Sequence, residues 1–117
     1  MNKPNDCIFC QIIALKQAAD IVYQDNDVTA FKDIHPLTPV HILIAPNKHI
    51  PSINEITASD QWLIGNLFSI AKDLAIQNGI DQSGYRLVIN NGKDAGQSVS
   101  HIHLHLIGGK PMPVKFG

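Results

Sequence analysis

Apolar residues change their spacing several times along this 117-residue chain, and each change marks an element. Ile8, Phe9, Ile12, Ile13 and Leu15 recur at helical intervals behind Asp6, a residue able to cap a helix, so the spacing predicts a short helix over 7–15. Two short apolar runs, 21–24 and 28–32, flank Asp25-Asn26-Asp27, whose short polar side chains suit a tight turn; together they predict a hairpin. Pro36 and Pro39 bar a helix or a central strand from 33–39, after which a strand over 40–45 runs into the breaker-rich stretch 46–51. The clearest helix is expected over 58–78. Thr57 and Asp60 stand in capping-box register, Gly79 is a C-terminal stop, and Leu63, Leu67, Ile70 and Leu74 form one apolar stripe. Trp62 and Phe68 on the same helix are expected to pack rather than to bind a ligand. A strand of mixed pattern over 85–90 and a turn-rich loop over 91–97 lead into strict alternation over 98–107. A two-residue period sends His101, His103 and His105 to one face and Ile102, Leu104 and Leu106 to the other. About five strands and two helices in mixed order predict an α+β fold with a mainly antiparallel sheet.

Composition narrows the function more than the fold. The length suits one domain, 1–117, with irregular tails at 1–6 and 111–117. A formal net charge of −1 removes the electrostatic argument for duplex nucleic acid or an anionic membrane as partner, and a small, locally recognised ligand fits better. No apolar run approaches the roughly 18 residues of a membrane span, and the first residues hold no apolar core of a signal peptide, so a cytoplasmic protein is expected. In a reducing compartment Cys7 and Cys10, too close in sequence to close a useful loop, point to metal binding or redox chemistry.

The histidine row has three readings. Alternation alone describes any half-buried strand, but three imidazoles are an unusual choice for a polar face that only needs solvation, which leaves a metal site or imidazole chemistry. Gly92 and Gly96 just upstream permit backbone geometry that lets amides approach an anion.

The stretch Gln97-Ser98-Val99-Ser100-His101-Ile102-His103-Leu104-His105-Leu106-Ile107 resembles the motif of the histidine-triad (HIT) family. Residues 21–24, Thr29-Ala30-Phe31 with Asp33-Ile34, His41-Ile42-Leu43-Ile44 with Pro46, Tyr85-Arg86-Leu87 with Asn90, and Gly108-Gly109 extend the likeness to the HINT branch, bacterial HinT-like proteins in particular, over about 7–110. The resemblance implies a HIT-like fold and a nucleotide-binding hydrolase or nucleotidyl transferase. Its substrates would be purine nucleoside phosphoramidates or acyl-adenylates, conjugates of AMP or GMP, cleaved at the α-phosphorus.

In that family pattern His103 would be the nucleophile of a nucleotidyl-histidine intermediate, with His105, His101 and His41 around it. Ser98 would hydrogen-bond the phosphate or the leaving-group atom. Asn90 and the Gly96 and Gln97 backbone would cradle the phosphate, Asp33 would take the ribose hydroxyls, and Ile21, Phe31 and Ile34 would wall the purine. The chemistry is consistent with the residue types: a neutral imidazole is nucleophilic near pH 7, and a carboxylate accepts from vicinal hydroxyls. The family pattern also implies a homodimer, and a structural zinc held by Cys7, Cys10, His49 and His101, with no organic cofactor. Three departures stand out: His35 where the branch usually has a small residue, Val40 where it usually has Thr, and the short tail ending at Gly117. Competing expectations are a zinc-stabilised nucleotide-binding or regulatory module with little turnover, a dinucleoside polyphosphate hydrolase, and a catalytic metal centre on the three imidazoles.

Overall fold

The computed structural model describes residues 6–114, in which seven regular elements form a sheet with one helix on each face. They are α1 (Ile8–Ile13), β1 (Ile21–Gln24), β2 (Val28–Lys32), β3 (Val40–Pro46), α2 (Gln61–Gln77), β4 (Tyr85–Val88) and β5 (Leu104–Gly108). The sheet is antiparallel throughout, as the mixed order of strands and helices led one to expect, with strand order β1-β2-β3-β5-β4. The expected tails, 1–6 and 111–117, fall largely outside the described residues, and 111–114 carry no regular structure.

Period-two geometry decides which side chains meet which helix. On one face Val28, Ala30, Ile42, Ile44, Leu104 and Leu106 pack against the Leu63, Leu67, Ile70 and Leu74 stripe of α2, forming the larger core. On the other face Phe31 and Leu43 pack under α1 with Cys7, Phe9 and Ile12. The central strand β3 is thus buried on both faces, which explains its uninterrupted apolar run. Removing a fully enclosed side chain such as Leu67 would cost about 2–5 kcal/mol.

Local chemistry moved three of the expected boundaries. Helix α1 stops at Ile13 because Leu15 takes a left-handed conformation (φ 61°), with Leu15 N–H donating to the Ile12 carbonyl and Lys16 N–H to that of Gln11. This is a Schellman ending with leucine where glycine is usual, so no glycine announces it. Its N-cap is Cys7, whose Sγ accepts from Cys10 N–H at 3.3 Å, rather than Asp6. Thr57 and Asp60 do pair, the Thr57 N–H donating to the carboxylate at 3.0 Å, but the turn they begin is 3-10 over Ala58–Asp60 before α2 proper. On α2, Trp62 (61% exposed) and Phe68 (43%) face away from the core, contrary to the packing role expected of them.

The largest shift concerns the histidine strand. Regular pairing begins only at Leu104, where β5 enters between β3 and β4, so His101 and His103 lie on the approach to the strand and not within it. That approach is fixed by the Ile102 N–H donating to the Ile50 carbonyl at 2.7 Å. At the far end of β5, Gly108 lets Ile80 and Tyr85 pack closely: a Cβ there would lie 2.8 Å from Ile80 Cδ1 and 3.2 Å from Tyr85 Cβ, so the end of Ile80 would have to shift.

Candidate active site

The histidines gather on the sheet face that carries α1, spread along β3 and β5 from His41 at the start of β3, beside the 33–39 loop, to His101 near Pro46 at its other end. His41 projects from β3, two residues from Leu43, which pairs with His105 in β5. His41, His101 and His103 are buried, and His105 is half-buried. Each ring has a partner that fixes which nitrogen carries the proton. The His103 Nδ1–H donates to the His101 carbonyl at 2.7 Å, which leaves the Nε2 lone pair free. Leu37 N–H donates to His41 Nδ1 at 3.1 Å, so the His41 proton sits on Nε2 and is offered to His105 Nδ1 at 3.0 Å. His105 therefore carries its own proton on Nε2. The Asp33 carboxylate stands 3.4 Å from His41 Nε2, and its other oxygen accepts from His35 N–H at 2.8 Å.

Burial makes these imidazoles neutral. It lowers the pKa of His103 below the usual 6.5, against the opposing pull of the bond to the His101 carbonyl. It takes His105 down to about 4, reinforced by His103 and His41, and it lowers His41 despite the nearby Asp33. A buried neutral imidazole with a free Nε2, beside a second imidazole that presents an N–H, can attack an electrophilic phosphorus while polarising one of its oxygens.

Next to this cluster lies a cavity of about 350 Å3, walled by Ile8, Phe9, Ile12, Phe31, Ile34, Leu43 and Val99, with Asp33, His35 and Ser98 at polar positions. It brings together Asp33, Ile34, Phe31 and Ser98 as expected from the sequence. Ile21 is partly buried against Phe31 and Leu43 and does not reach the cavity wall. The α1 residues Ile8, Phe9 and Ile12, with Leu43 and Val99, were not singled out as ligand contacts. Their spacing reads equally well as helix or strand core, and only the placement of α1 over the sheet turns it into a wall. Phe9 also meets the histidines, edge-on to His103 (ring centroids 4.9 Å apart, 87°) and to His101 (5.9 Å).

The loop expected to cradle phosphate holds itself together first. Gln97 accepts from Gly92 N–H at 2.9 Å and donates to the Pro51 and Val99 carbonyls, and its own N–H donates to the Gly92 carbonyl. Gly96, left-handed at φ 81°, donates its N–H to the Lys93 carbonyl. Both amides thus support the loop in this conformation. Asn90 is half-buried two residues beyond β4, and Ser98 is exposed.

Behind Phe9 sits a second cluster. Cys7, Cys10, His49 and His101 bring one ligand atom each to within 4.8 Å of one another. Cys10 Sγ is 3.1 Å from His49 Nδ1 and 3.4 Å from His101 Nδ1, and Cys7 Sγ is 3.4 Å from His101 Nδ1. Tetrahedral zinc with bonds of about 2.3 Å to sulfur and about 2.0 Å to nitrogen has sulfur–nitrogen edges of roughly 3.5 Å, so the donor set fits such an ion. The His101 Nε2–H donates to the Pro46 carbonyl at 2.8 Å, which turns Nδ1 toward the thiols in the way metal-ligating histidines are oriented. Burial, with the neighbouring Cys7 thiol, pushes the Cys10 thiol up to about 12, so loading a metal there must release protons. Asp33, His41 and His105 also converge within the same limit, but their contacts are accounted for by the hydrogen bonds given above.

Comparison with known proteins agrees with this geometry. The HIT domain family model matches residues 14–112. The purine nucleoside phosphoramidase of Escherichia coli K12 is 47% identical over 107 residues, covering 92% of this chain and 90% of its own length. A HIT family hydrolase of Legionella pneumophila superposes with a TM-score of 0.92 at 44% identity, over 95% of this chain and 99% of the other. A zinc-bound histidine triad family protein of Mycobacterium smegmatis superposes with a TM-score of 0.80 at 27% identity, over 92% and 78% of the two chains.

Proposed function

The chain belongs to the HIT domain family, and on that premise we propose that it is a hydrolase of purine nucleoside phosphoramidates and acyl-adenylates, working through a nucleotidyl-histidine intermediate. The observation that carries this reading is the pair of fixed tautomers: His103 with a free Nε2 and His105 with a proton on Nε2. His103 Nε2 attacks the α-phosphorus, forming a nitrogen–phosphorus bond as the bond to the leaving group breaks. His105 stabilises the charge that builds on the phosphoryl oxygen, and the Ser98 hydroxyl hydrogen-bonds the phosphate or the departing atom. Water then attacks the same phosphorus, frees His103 and releases the nucleoside monophosphate. The purine occupies the cavity between α1 and Phe31, and Asp33, with lone pairs left over from its two internal contacts, accepts from the ribose hydroxyls.

Two further parts of the reading rest on the same structure. Cys7, Cys10, His49 and His101 hold a structural zinc, whose chemistry when bound is to fix these four side chains and not to touch substrate; the fit of their distances supports this. Residues 1–117 act as one domain in a cytoplasmic homodimer. In support, β4 ends the sheet with one edge open, α2 exposes Trp62, Phe68 and Ile76, and no helix among the described residues is long and apolar enough to cross a membrane.

The test of the chemistry is direct. Mass spectrometry of protein quenched during turnover of an adenosine phosphoramidate should show an adenylylated species that maps to His103. His103→Ala should lose both the adduct and turnover while still binding adenosine monophosphate; turnover retained in that variant overturns the assignment.

A further inference from the structure

We propose that the cysteine–histidine quartet and the base cavity are energetically coupled through Phe9, so that metal binding raises nucleotide affinity and nucleotide binding raises metal affinity by the same factor. The proposal rests on the nucleotide and metal readings given above and adds a connection between the two sites.

Helix α1 is the shared element. Six residues are far too few for a helix to persist without tertiary support. Its position is therefore set by what it touches, and it touches both sites. Cys7 and Cys10 lie one turn apart on one side of it, while Ile8, Phe9 and Ile12 form the cavity wall. The other two donors come from separate parts of the sheet: His49 follows β3, and His101 precedes β5. An ion bound by all four therefore ties α1 to the sheet at a fixed distance, and the width of the cavity between α1 and Phe31 follows from that distance.

Phe9 makes the link specific. It stands between the two cysteines in sequence, is 6% exposed, and packs edge-on against Phe31 (5.2 Å), His101 and His103. His101 contributes a second connection, because its ring faces the thiols while its carbonyl accepts the His103 Nδ1 proton. A ring that touches a metal-facing histidine, the proposed nucleophile and the base wall at once cannot move for one without being felt by the others. Phe9 is in this sense a positioning residue. Reciprocity follows from linkage whatever the path: two equilibria that share one element must change each other by equal factors.

The experiment uses the unmodified protein. Zinc affinity is measured by competition with a chromophoric chelator, with and without saturating adenosine monophosphate, and adenosine monophosphate affinity is measured calorimetrically on zinc-loaded and zinc-stripped protein. The expected result is an equal change in both titrations, of about 5-fold or more, the low end for coupled sites. Phe9→Leu, which keeps an apolar filler but removes the flat ring, should reduce that factor towards one, the factor being the ratio of zinc affinities with and without nucleotide in the same variant. Nucleotide binding that leaves zinc affinity unchanged overturns the coupling alone. Failure of adenosine monophosphate to bind the zinc-loaded protein overturns the nucleotide reading and the coupling with it. A coupling factor undiminished in Phe9→Leu removes Phe9 from the path.

Discussion

Replacing His41 by leucine separates the chemistry proposed for this site from mere burial of imidazoles. His41 does not itself line the cavity, yet it accepts the Leu37 N–H at 3.1 Å and hands its own proton toward His105 at 3.0 Å. Leucine fills a similar volume, so the change removes two hydrogen bonds without opening a large void. Both partners are only partly buried, which puts each loss near the lower end, about 1 kcal/mol, and the sum near 2 kcal/mol. For a domain of this size that is a fall in Tm of roughly 8 °C, leaving a folded protein at 25 °C. The kinetic effect should be larger. Without His41 the His105 ring is free to carry its proton on Nδ1, and the N–H that faces the phosphoryl oxygen is lost part of the time and loosely held the rest. Loss of one oriented donor to a developing oxyanion lowers kcat by about 100-fold or more. Steady-state turnover of a fluorogenic adenosine phosphoramidate, with a thermal melt on the same sample, reads both quantities. A variant that melts lower as expected but keeps kcat within about threefold would refute the tautomer chain, because His105 would then need no partner to hold its proton on Nε2.

The remaining predictions concern pH, the ribose and assembly. Since burial lowers the pKa of His103 below 6.5, its nucleophilic form survives to lower pH than in an exposed histidine, and the acid limb of kcat/KM should have its midpoint below 6.5; a midpoint above 7 contradicts the placement of His103. Stability should fall over the same range. The unfolded chain takes up a proton at His105 near pH 6.5 but the folded chain only at about 4, so the unfolded state binds more protons in that window and folding weakens as pH drops through it, as denaturant titration would show. Asp33→Asn should narrow the preference for ribo- over 2′-deoxyribonucleotide by about tenfold in KM, and an unchanged ratio would mean that the carboxylate serves His41 and the loop alone. Light scattering at micromolar concentration should give the mass of a dimer, with a monomer mass refuting assembly through the open sheet edge and α2.

Much of the site could be read from side-chain identity and spacing. The run from Gln97 to Ile107, with Asp33 and His41, pointed to imidazole chemistry on a nucleotide, and Phe31, Ile34 and Ser98 do line the cavity beside it. Ile21 does not reach the cavity, because its side chain is taken up in the packing with Phe31 and Leu43. Gln97 shows a different limit: its identity does not say what its side chain holds, and only the hydrogen bonds to Gly92, Pro51 and Val99 reveal that the side-chain amide ties the loop together.

What the sequence determined by itself are the features set by local physics: strand and helix periods, prolines that break, the α2 stripe, a mixed element order that pointed to an antiparallel sheet, and a cluster of imidazoles too dense for a solvated face. Tertiary structure decided the rest, because long-range contacts cannot be inferred from periodicity. Alternation made His101, His103 and His105 equivalent neighbours on one strand. In the fold the strand begins only at Leu104, His101 turns its Nδ1 to Cys7 and Cys10, His103 anchors its Nδ1 on the backbone behind it, and His105 receives a proton from His41 across the sheet. Each imidazole took its role from the group that holds its other nitrogen, and for His103, His105 and His101 those groups lie 2, 64 and 55 residues away in the chain.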